Sequence, residues 1–416
     1  MNRTKPFLIS LWKVQEAWQR VKGNGGSAGI DKISIEAFER DLAKNLYKIW
    51  NRLSSGTYFP PPVKRVEIPK SDGKMRPLGI PTVGDRVAQM AVKLEIEQQW
   101  DAKFHASSFG YRQGKSAHDA VAQARSNCFK YKWVVDLDIK GFFDNIDHEL
   151  MLKAIDKQTP PKWVRLALVR WLKADVMYPD GSIESRESGT PQGGVISPLL
   201  ANLFLHYTFD KWMEREFPTL PFERYADDAI IHCTSDKQAQ FVLDKLKGRM
   251  RDCKLELHSE KTKIVNCDVG TNKQAKYNKF DFLGFTFRRR RSINTRTNQV
   301  FTGFLPAISD EKKNAIKQTI NAFNWQALIP KGLDNVARAI NPYIRGIINY
   351  YSKFYPSELE DIWRVLDGRL VRWIMRKRKR YKGKKTKTYR LIEELKSSPR
   401  FGRLFAHWHL MQLKRN

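Results

Sequence analysis

Apolar residues recur at helical spacing from Leu8 to Val21, stop at Gly23-Asn24-Gly25-Gly26-Ser27-Ala28-Gly29, and resume from Asp31 to Trp50. This pattern predicts helix, glycine-rich turn, helix. Val63-Lys64-Arg65-Val66-Glu67-Ile68 then alternates with period two, and Lys70-Ser71-Asp72-Gly73-Lys74 supplies a turn before Arg76-Pro77-Leu78-Gly79-Ile80. A basic hairpin is expected. Its cations fit either a solvated edge that blocks aggregation or donors to an anionic phosphate group. Helical spacing returns over 83–100 and 116–130, an apolar strand follows at 134–139, and two short strands flank Ala226-Asp227-Asp228. Beyond Arg288-Arg289-Arg290-Arg291 the strands fade, and helices are predicted over 310–323, 333–351 and 359–376. The fold class is α+β, in three segments: 1–60, 61–304 and a helical 305–416.

Two acidic features interrupt this pattern. Asp138 lies in the apolar run Val134-Val135-Asp136-Leu137-Asp138-Ile139, where a buried, unpaired carboxylate carries a heavy desolvation penalty. Asp227 and Asp228 occupy the turn between Phe222-Glu223-Arg224-Tyr225 and Ala229-Ile230-Ile231-His232. An isolated Asp-Asp pair is ordinarily a solvated turn. Strand and hairpin together instead predict a two-metal nucleotidyl transfer site, in which carboxylates hold two divalent ions roughly 4 Å apart. Asp136 shares a face with Asp138 by strand alternation, so the pattern alone leaves both open.

Composition narrows the partner. The 416 residues carry a formal charge of +31, with 41% hydrophobic residues and twelve Trp. Such a chain can build real cores and suits a polyanion, most simply nucleic acid. No apolar run approaches the roughly 20 residues that span a bilayer, and the N-terminal residues do not read as a signal peptide. A cytoplasmic protein with no membrane partner is expected. Cys128, Cys233, Cys253 and Cys267 are scattered without a Cys-x-x-Cys pair, as free thiols in a reducing compartment would be. His407-Trp408-His409 has no other ligand type nearby in sequence, so a packed or exposed terminal segment is expected there rather than a metal site.

Six landmarks run in order: Arg76-Pro77-Leu78-Gly79-Ile80-Pro81, Ser108-Phe109-Gly110-Tyr111-Arg112, Asp138-Ile139-Lys140-Gly141-Phe142-Phe143-Asp144, Gly189-Thr190-Pro191-Gln192-Gly193-Gly194, Tyr225-Ala226-Asp227-Asp228 and Phe282-Leu283-Gly284-Phe285. The succession resembles the reverse transcriptases encoded by bacterial and organellar group II introns, from about residue 8 to beyond residue 350. The resemblance implies a right-hand polymerase, with fingers and palm followed by a helical thumb that doubles as the maturase, or X, domain. It makes Asp138, Asp227 and Asp228 the metal ligands, favouring Asp138 over Asp136, with two Mg²⁺ ions as cofactor and Mn²⁺ able to substitute. It matches Lys70 and Arg76 to the triphosphate, Gln192 to the side of the incoming nucleotide, Lys261 to the lysine proposed to protonate pyrophosphate, unless it simply forms a surface salt bridge, and Gly284 to the primer grip. Asp144 and Asp147 are expected to support the following helix. Phe143, five residues past Asp138, would collide with a 2′-hydroxyl and so favours dNTPs, unless it is simply core.

Asn341-Pro342-Tyr343-Ile344-Arg345-Gly346-Ile347-Ile348-Asn349-Tyr350-Tyr351 looks like the maturase signature, with rings and cations suited to RNA. Arg345 is an expected RNA contact, as are Arg112 and the tract opening Arg376-Lys377-Arg378-Lys379-Arg380, whose charge density repels itself unless a polyanion lies against it. The expected partners are an RNA template, structured intron RNA above all, a DNA or RNA primer, and dNTPs. Tyr111 and Gln113 stand where many relatives have Phe and Pro. No His-Asn-His nuclease module with paired cysteines follows the X region, and no RNase H domain is apparent. Two other readings share the motifs: a domesticated relative acting in phage defence, repair or spacer acquisition, and an RNA-binding maturase without polymerase activity. Retention of all three Asp weighs against the last.

Overall fold

The computed structural model describes residues 5–69, 73, 75–268, 270, 276–293 and 297–408. They form two compact units, one of Met1–Ala120 with Val134–Ile264, the other of Val121–Trp133 with Val265–Asn416. Helices and sheets alternate irregularly, giving the expected α+β class. Among the described residues, no helix is long and apolar enough to cross a membrane.

In the first unit, β1 (Val63–Pro69) and β2 (Met75–Ile80) form the expected antiparallel hairpin, in register from Lys64 opposite Ile80 to Pro69 opposite Met75. Strand β3 (Trp133–Asp138) carries the first acidic motif. The short β4 (Val176–Met177) and β5 (Ile183–Glu184) extend the hairpin into a sheet ordered β2-β1-β4-β5. The second sheet is ordered β6-β7-β3-β8, from β6 (Phe222–Tyr225), β7 (Asp228–Cys233) and β8 (Lys263–Asn266). The helical run expected from Asp31 to Trp50 divides at Asp41 into Ile35–Arg40 and Leu42–Ser55, because the Asp41 backbone leaves the helical region at φ −112° and ψ 35°.

The helix Val83–Asp101 buries Asp85, Arg86 and Gln89 among its apolar residues, and the Asp85 carboxylate there needs partners. Its carboxylate accepts from Tyr58 Oη at 2.7 Å, Trp171 Nε1 at 2.8 Å and Gln89 Nε2 at 2.8 Å. Burial pushes the Asp85 pKa up, against the pull of those three donors. Gln89 Oε1 in turn accepts from the Ile196 amide at 3.2 Å, so the network tethers the segment that follows Gly194.

In the second unit, β9 (Lys279–Phe282), β10 (Phe285–Ile293) and β11 (Val300–Ile308) form a sheet ordered β11-β10-β9. The expected fading of strands past the arginine run is therefore corrected. Arg288-Arg289-Arg290-Arg291 sits inside β10, paired with β11 from Arg288 opposite Leu305 to Arg291 opposite Thr302. Four consecutive cations hide the period-two pattern, since Arg290 alone turns inward, where it meets Glu358 together with Lys313. The helices Asp310–Ala322, Leu333–Tyr351, Glu360–Lys377 and Lys385–Ser397 then enclose a core that includes Ile344, Trp363, Leu370, Phe405 and Trp408.

His407-Trp408 belongs to that core. Asp367 accepts from Trp408 Nε1 at 3.0 Å and Lys396 Nζ at 2.8 Å, and lies 3.0 Å from His407 Nε2. Burial disfavours the Asp367 carboxylate, yet the His407 hydrogen bond and the Lys396 charge outweigh it and hold its pKa at about 2. His409 lies outside the described residues.

Candidate active site

A cleft of about 480 Å³ in the first unit gathers expected site residues from several segments. Arg76 comes from β2, Asp138 from the end of β3, Phe143 from the turn after it, Gln192 from the glycine-rich loop, Asp227 from the β6-β7 turn, and Lys261 from the turn before β8. Lys70 lies outside the described residues. Asp138 ends its strand half-exposed, and Lys261 Nζ sits 2.8 Å from its Oδ2. Asp136 does not line the cleft. Asp147 caps the helix His148–Lys157 as expected, accepting from the Leu150 amide at 2.9 Å.

The β6-β7 turn is a two-residue loop closed by Tyr225 opposite Asp228. Ala226 adopts φ +57°, the left-handed region that an alanine enters only when held there. Arg224 does the holding. Its guanidinium reaches Asp210 at 2.7 and 2.6 Å, Asn202 Oδ1 at 3.0 Å, the Ala226 carbonyl at 3.0 Å and Ser108 Oγ at 2.8 Å. Arg224 is 1% exposed and Asp210 0%, so the pair is fully desolvated. Asp210 ends a π-helical turn, His206–Asp210, inside the long helical segment after Ser197. Asn202 also donates to the Gly110 carbonyl at 2.7 Å, tying in the Phe109-Gly110 motif. Sequence reading missed this network, because Arg224 and Asp210 look like unremarkable polar residues until the chain folds.

Asp227 lies in the turn and Asp228 opens β7. Of the expected trio, Asp138 and Asp227 line the cleft. Burial raises the Asp227 pKa, and the charge of Asp138 raises it further against Arg76 and Arg224. Two like-charged carboxylates at one cleft make an oxygen donor set that suits divalent cations. Among the described residues, however, no three His, Cys, Asp or Glu side chains gather closely enough to hold a metal ion unaided.

The loop carrying Gln192 is pressed onto β2. The Gly79 amide donates to the Gln192 carbonyl at 2.7 Å, and a Cβ on Gly193 would lie 2.5 Å from the Gly79 carbonyl oxygen. Gly193 also has φ +114°, so no other residue fits there. Phe143 is half-buried, edge-on to the buried Phe142 at 5.5 Å, with its own ring on the cleft wall. Tyr111 lines the same cleft, and burial together with the Asp227 charge pushes its hydroxyl pKa up.

Two expected nucleic-acid contacts are engaged within the fold. Arg112 spends its guanidinium on Asp101 and on the His105, Ser108 and Asp101 carbonyls, at 2.7–3.3 Å, and its side chain is only 7% exposed. That guanidinium is a brace under the Ser108-Phe109-Gly110 segment. Lys377 Nζ donates to the carbonyls of Ile329, Pro330 and Lys331 at 3.0, 3.1 and 2.6 Å. In the second unit, Gly284 has φ +79° and faces the Tyr351 hydroxyl, which a Cβ would approach to 3.0 Å. Arg345, Arg376, Arg378, Lys379 and Arg380 keep their side chains at least partly open to solvent.

Residues 68–287 match the family model for reverse transcriptase (RNA-dependent DNA polymerase), and residues 313–391 match that for the group II intron maturase-specific domain. The group II intron-encoded protein LtrA of Lactococcus lactis subsp. cremoris is 34% identical, over 80% of this chain and 68% of its own. Protein YkfC of Escherichia coli is 29% identical, over 76% of this chain and 90% of its own. A telomerase from Candida albicans, solved with a fragment of telomeric RNA, aligns with a TM-score of 0.48 at 10% identity, covering 90% of this chain and 68% of that one. Reverse transcriptases generally use divalent metals, and the two matched domains imply binding of an RNA template. With a reverse transcriptase domain followed by a maturase domain, the chain belongs to the RNA-directed DNA polymerases encoded by group II introns.

Proposed function

We propose that this chain copies an RNA template into DNA by two-metal nucleotidyl transfer from dNTPs, extending a DNA or RNA primer, and binds group II intron RNA to assist splicing and mobility. The observation that carries the reading is the convergence of Arg76, Asp138, Phe143, Gln192, Asp227 and Lys261 on one cleft. Asp138, Asp227 and Asp228 would hold Mg²⁺, or Mn²⁺ in its place. Bound there, the ions would activate the primer 3′-hydroxyl and neutralise the pyrophosphate. Arg76 pairs with the triphosphate, and Gln192 lies beside the nucleotide. Lys261, 2.8 Å from Asp138, would be the general acid for the departing pyrophosphate.

The test is extension of oligo(dT) on poly(rA) with dTTP and Mg²⁺; no extension by folded protein would overturn the reading. Within the same assay, Phe143→Ala should raise ribonucleotide incorporation relative to deoxynucleotide by about tenfold, or ~1.4 kcal/mol of discrimination. Unchanged selectivity would put the sugar gate elsewhere.

The maturase half predicts a separate result. Neutralising Arg376, Arg378, Lys379 and Arg380 to Gln, with Lys377 kept for its carbonyl partners, should weaken binding of structured intron RNA. Each cation–phosphate pairing removed should flatten the log–log salt slope by about 0.7 to 0.9. A slope equal to that of the parent protein would make the tract a bystander.

A further inference from the structure

A second groove in the first unit shares no lining residue with the cleft. Three helical segments build it. Leu150, Lys153, Ala154 and Lys157 recur at i, i+3, i+4, i+7 on the helix His148–Lys157 and present one face. Phe204, Tyr207, Lys211 and Arg215 line up along the helical segment that contains the π-turn, and Arg249 closes the groove from the helix Asp236–Asp252. The floor is apolar, with Phe204 and Trp212 largely buried beneath it, while the rim sets five cations against one carboxylate, Asp252.

The state of the cations singles out this rim. Lys153 and Lys157 have no carboxylate partner among the described residues; Lys157 Nζ lies instead 4.9 Å from the centre of the Tyr207 ring. Lys211 and Arg215, also on the rim, are paired with Glu214 at 2.7 Å and Glu216 at 2.8 Å. Arg249 donates to the Tyr207 and Thr208 carbonyls at 3.0 Å each, which fixes the π-turn that projects Tyr207 into the groove. Tyr207 is pinned at its hydroxyl by Gln158 Nε2 at 2.7 Å. An adjoining hollow, also lined by Tyr207, adds Lys103 and Glu214 and shares Lys157, Lys211 and Arg215. The result is one held ring shared by two hollows of about 490 and 740 Å³, with Lys153 and Lys157 beside it. A carboxylate ligand would be served by the charges alone. A held ring next to lysines without carboxylate partners matches a strand whose bases stack while its backbone passes along cations.

We propose that this groove docks an unpaired segment of the RNA that the protein binds, with a base against Tyr207 and the flanking phosphates on Lys153 and Lys157. The RNA occupant rests on the function proposed above, whereas the groove's location and recognition mode do not follow from it. The groove discriminates single strands from duplex, because inside a helix both faces of a base are covered by its stacked neighbours.

The experiment uses the full chain with a 12-nucleotide single-stranded RNA carrying 4-thiouridine, and a blunt RNA duplex of the same sequence as control. Photocrosslinking followed by peptide mapping should find the single strand on the segment holding Tyr207 to Arg215, and the duplex elsewhere. Lys153→Glu with Lys157→Glu should reduce that crosslink at least tenfold and flatten the single-strand salt slope by about 1.4, or about 0.7 for each of the two phosphates. Tyr207→Leu should reduce the crosslink while leaving the slope unchanged, which a purely electrostatic surface would not do. Both variants should extend oligo(dT) on poly(rA) at the parental rate, showing that they are folded and that the polymerase reading stands independently. Crosslinks confined to other segments, equal loss for duplex and single strand, or displacement of nothing but a poly-glutamate competitor would overturn the proposal.

Discussion

Asp227→Asn is expected to stop dNTP incorporation, lowering the rate by about a thousandfold, or ~4 kcal/mol, while leaving affinity for structured RNA within twofold. The charge is lost from the cleft, and the second unit, with its basic tract, is untouched. The same substitution should make the metal-free protein no less stable at neutral pH. Burial and the neighbouring Asp138 raise the Asp227 pKa, so the fold prefers its protonated form. That preference is satisfied at low pH and is lost as pH rises through the raised pKa. The advantage of Asn over Asp should therefore grow with pH without added divalent ion, and shrink when Mg²⁺ is supplied. Thermal melts from about pH 4 to 8, spanning the carboxylate range, with and without Mg²⁺, check this. A variant that melts far below its parent at every pH would identify Asp227 as a structural carboxylate, and retained polymerisation would remove it from the chemistry.

Arg224→Met should have the largest effect on stability of any change near the cleft. It strands Asp210, which is 0% exposed, as an unpaired buried carboxylate. Breaking a buried pair from one side costs about 3–5 kcal/mol, which for a unit of this size lowers the melting temperature by roughly 10 °C. The Ala226 carbonyl loses its donor too, so the turn that aims Asp227 relaxes, and incorporation should fall by about a hundredfold even below the melting range. Adding Asp210→Leu to Arg224→Met should restore much of the stability, because no charge is then stranded, but not the rate. Melting and primer extension on the two variants separate these effects. Recovery of activity along with stability would mean that Arg224 supports the fold generally and does not position Asp227.

Local pattern was enough for most elements. The basic hairpin, the helix from Val83, the strand ending at Asp138, the acidic turn and the helix from Leu333 all follow from periodicity and turn residues near in sequence. The failures have a common cause in long-range partners. The β10 strand is disguised by four arginines, and only Glu358, far along the chain, explains why Arg290 is inside. Arg112 and Lys377 read as cations for nucleic acid until their carbonyl acceptors are brought to them by folding. Asp227 is brought to the cleft wall, while its neighbour Asp228 opens β7, an outcome that depends on where the turn closes.

By itself the order of residues determined that this chain is a basic α+β protein with the acidic strand and acidic hairpin of an intron-encoded reverse transcriptase, since those signals are local spacings and side-chain types. Only the tertiary structure decided which carboxylates share a cleft, that Arg224 and Asp210 fix the turn presenting one of them, and which cations remain available to meet a phosphate. Charge and hydrogen-bonding capacity are properties of a residue, but whether they are spent inside the protein or left for a ligand depends on neighbours that the fold supplies from a distance.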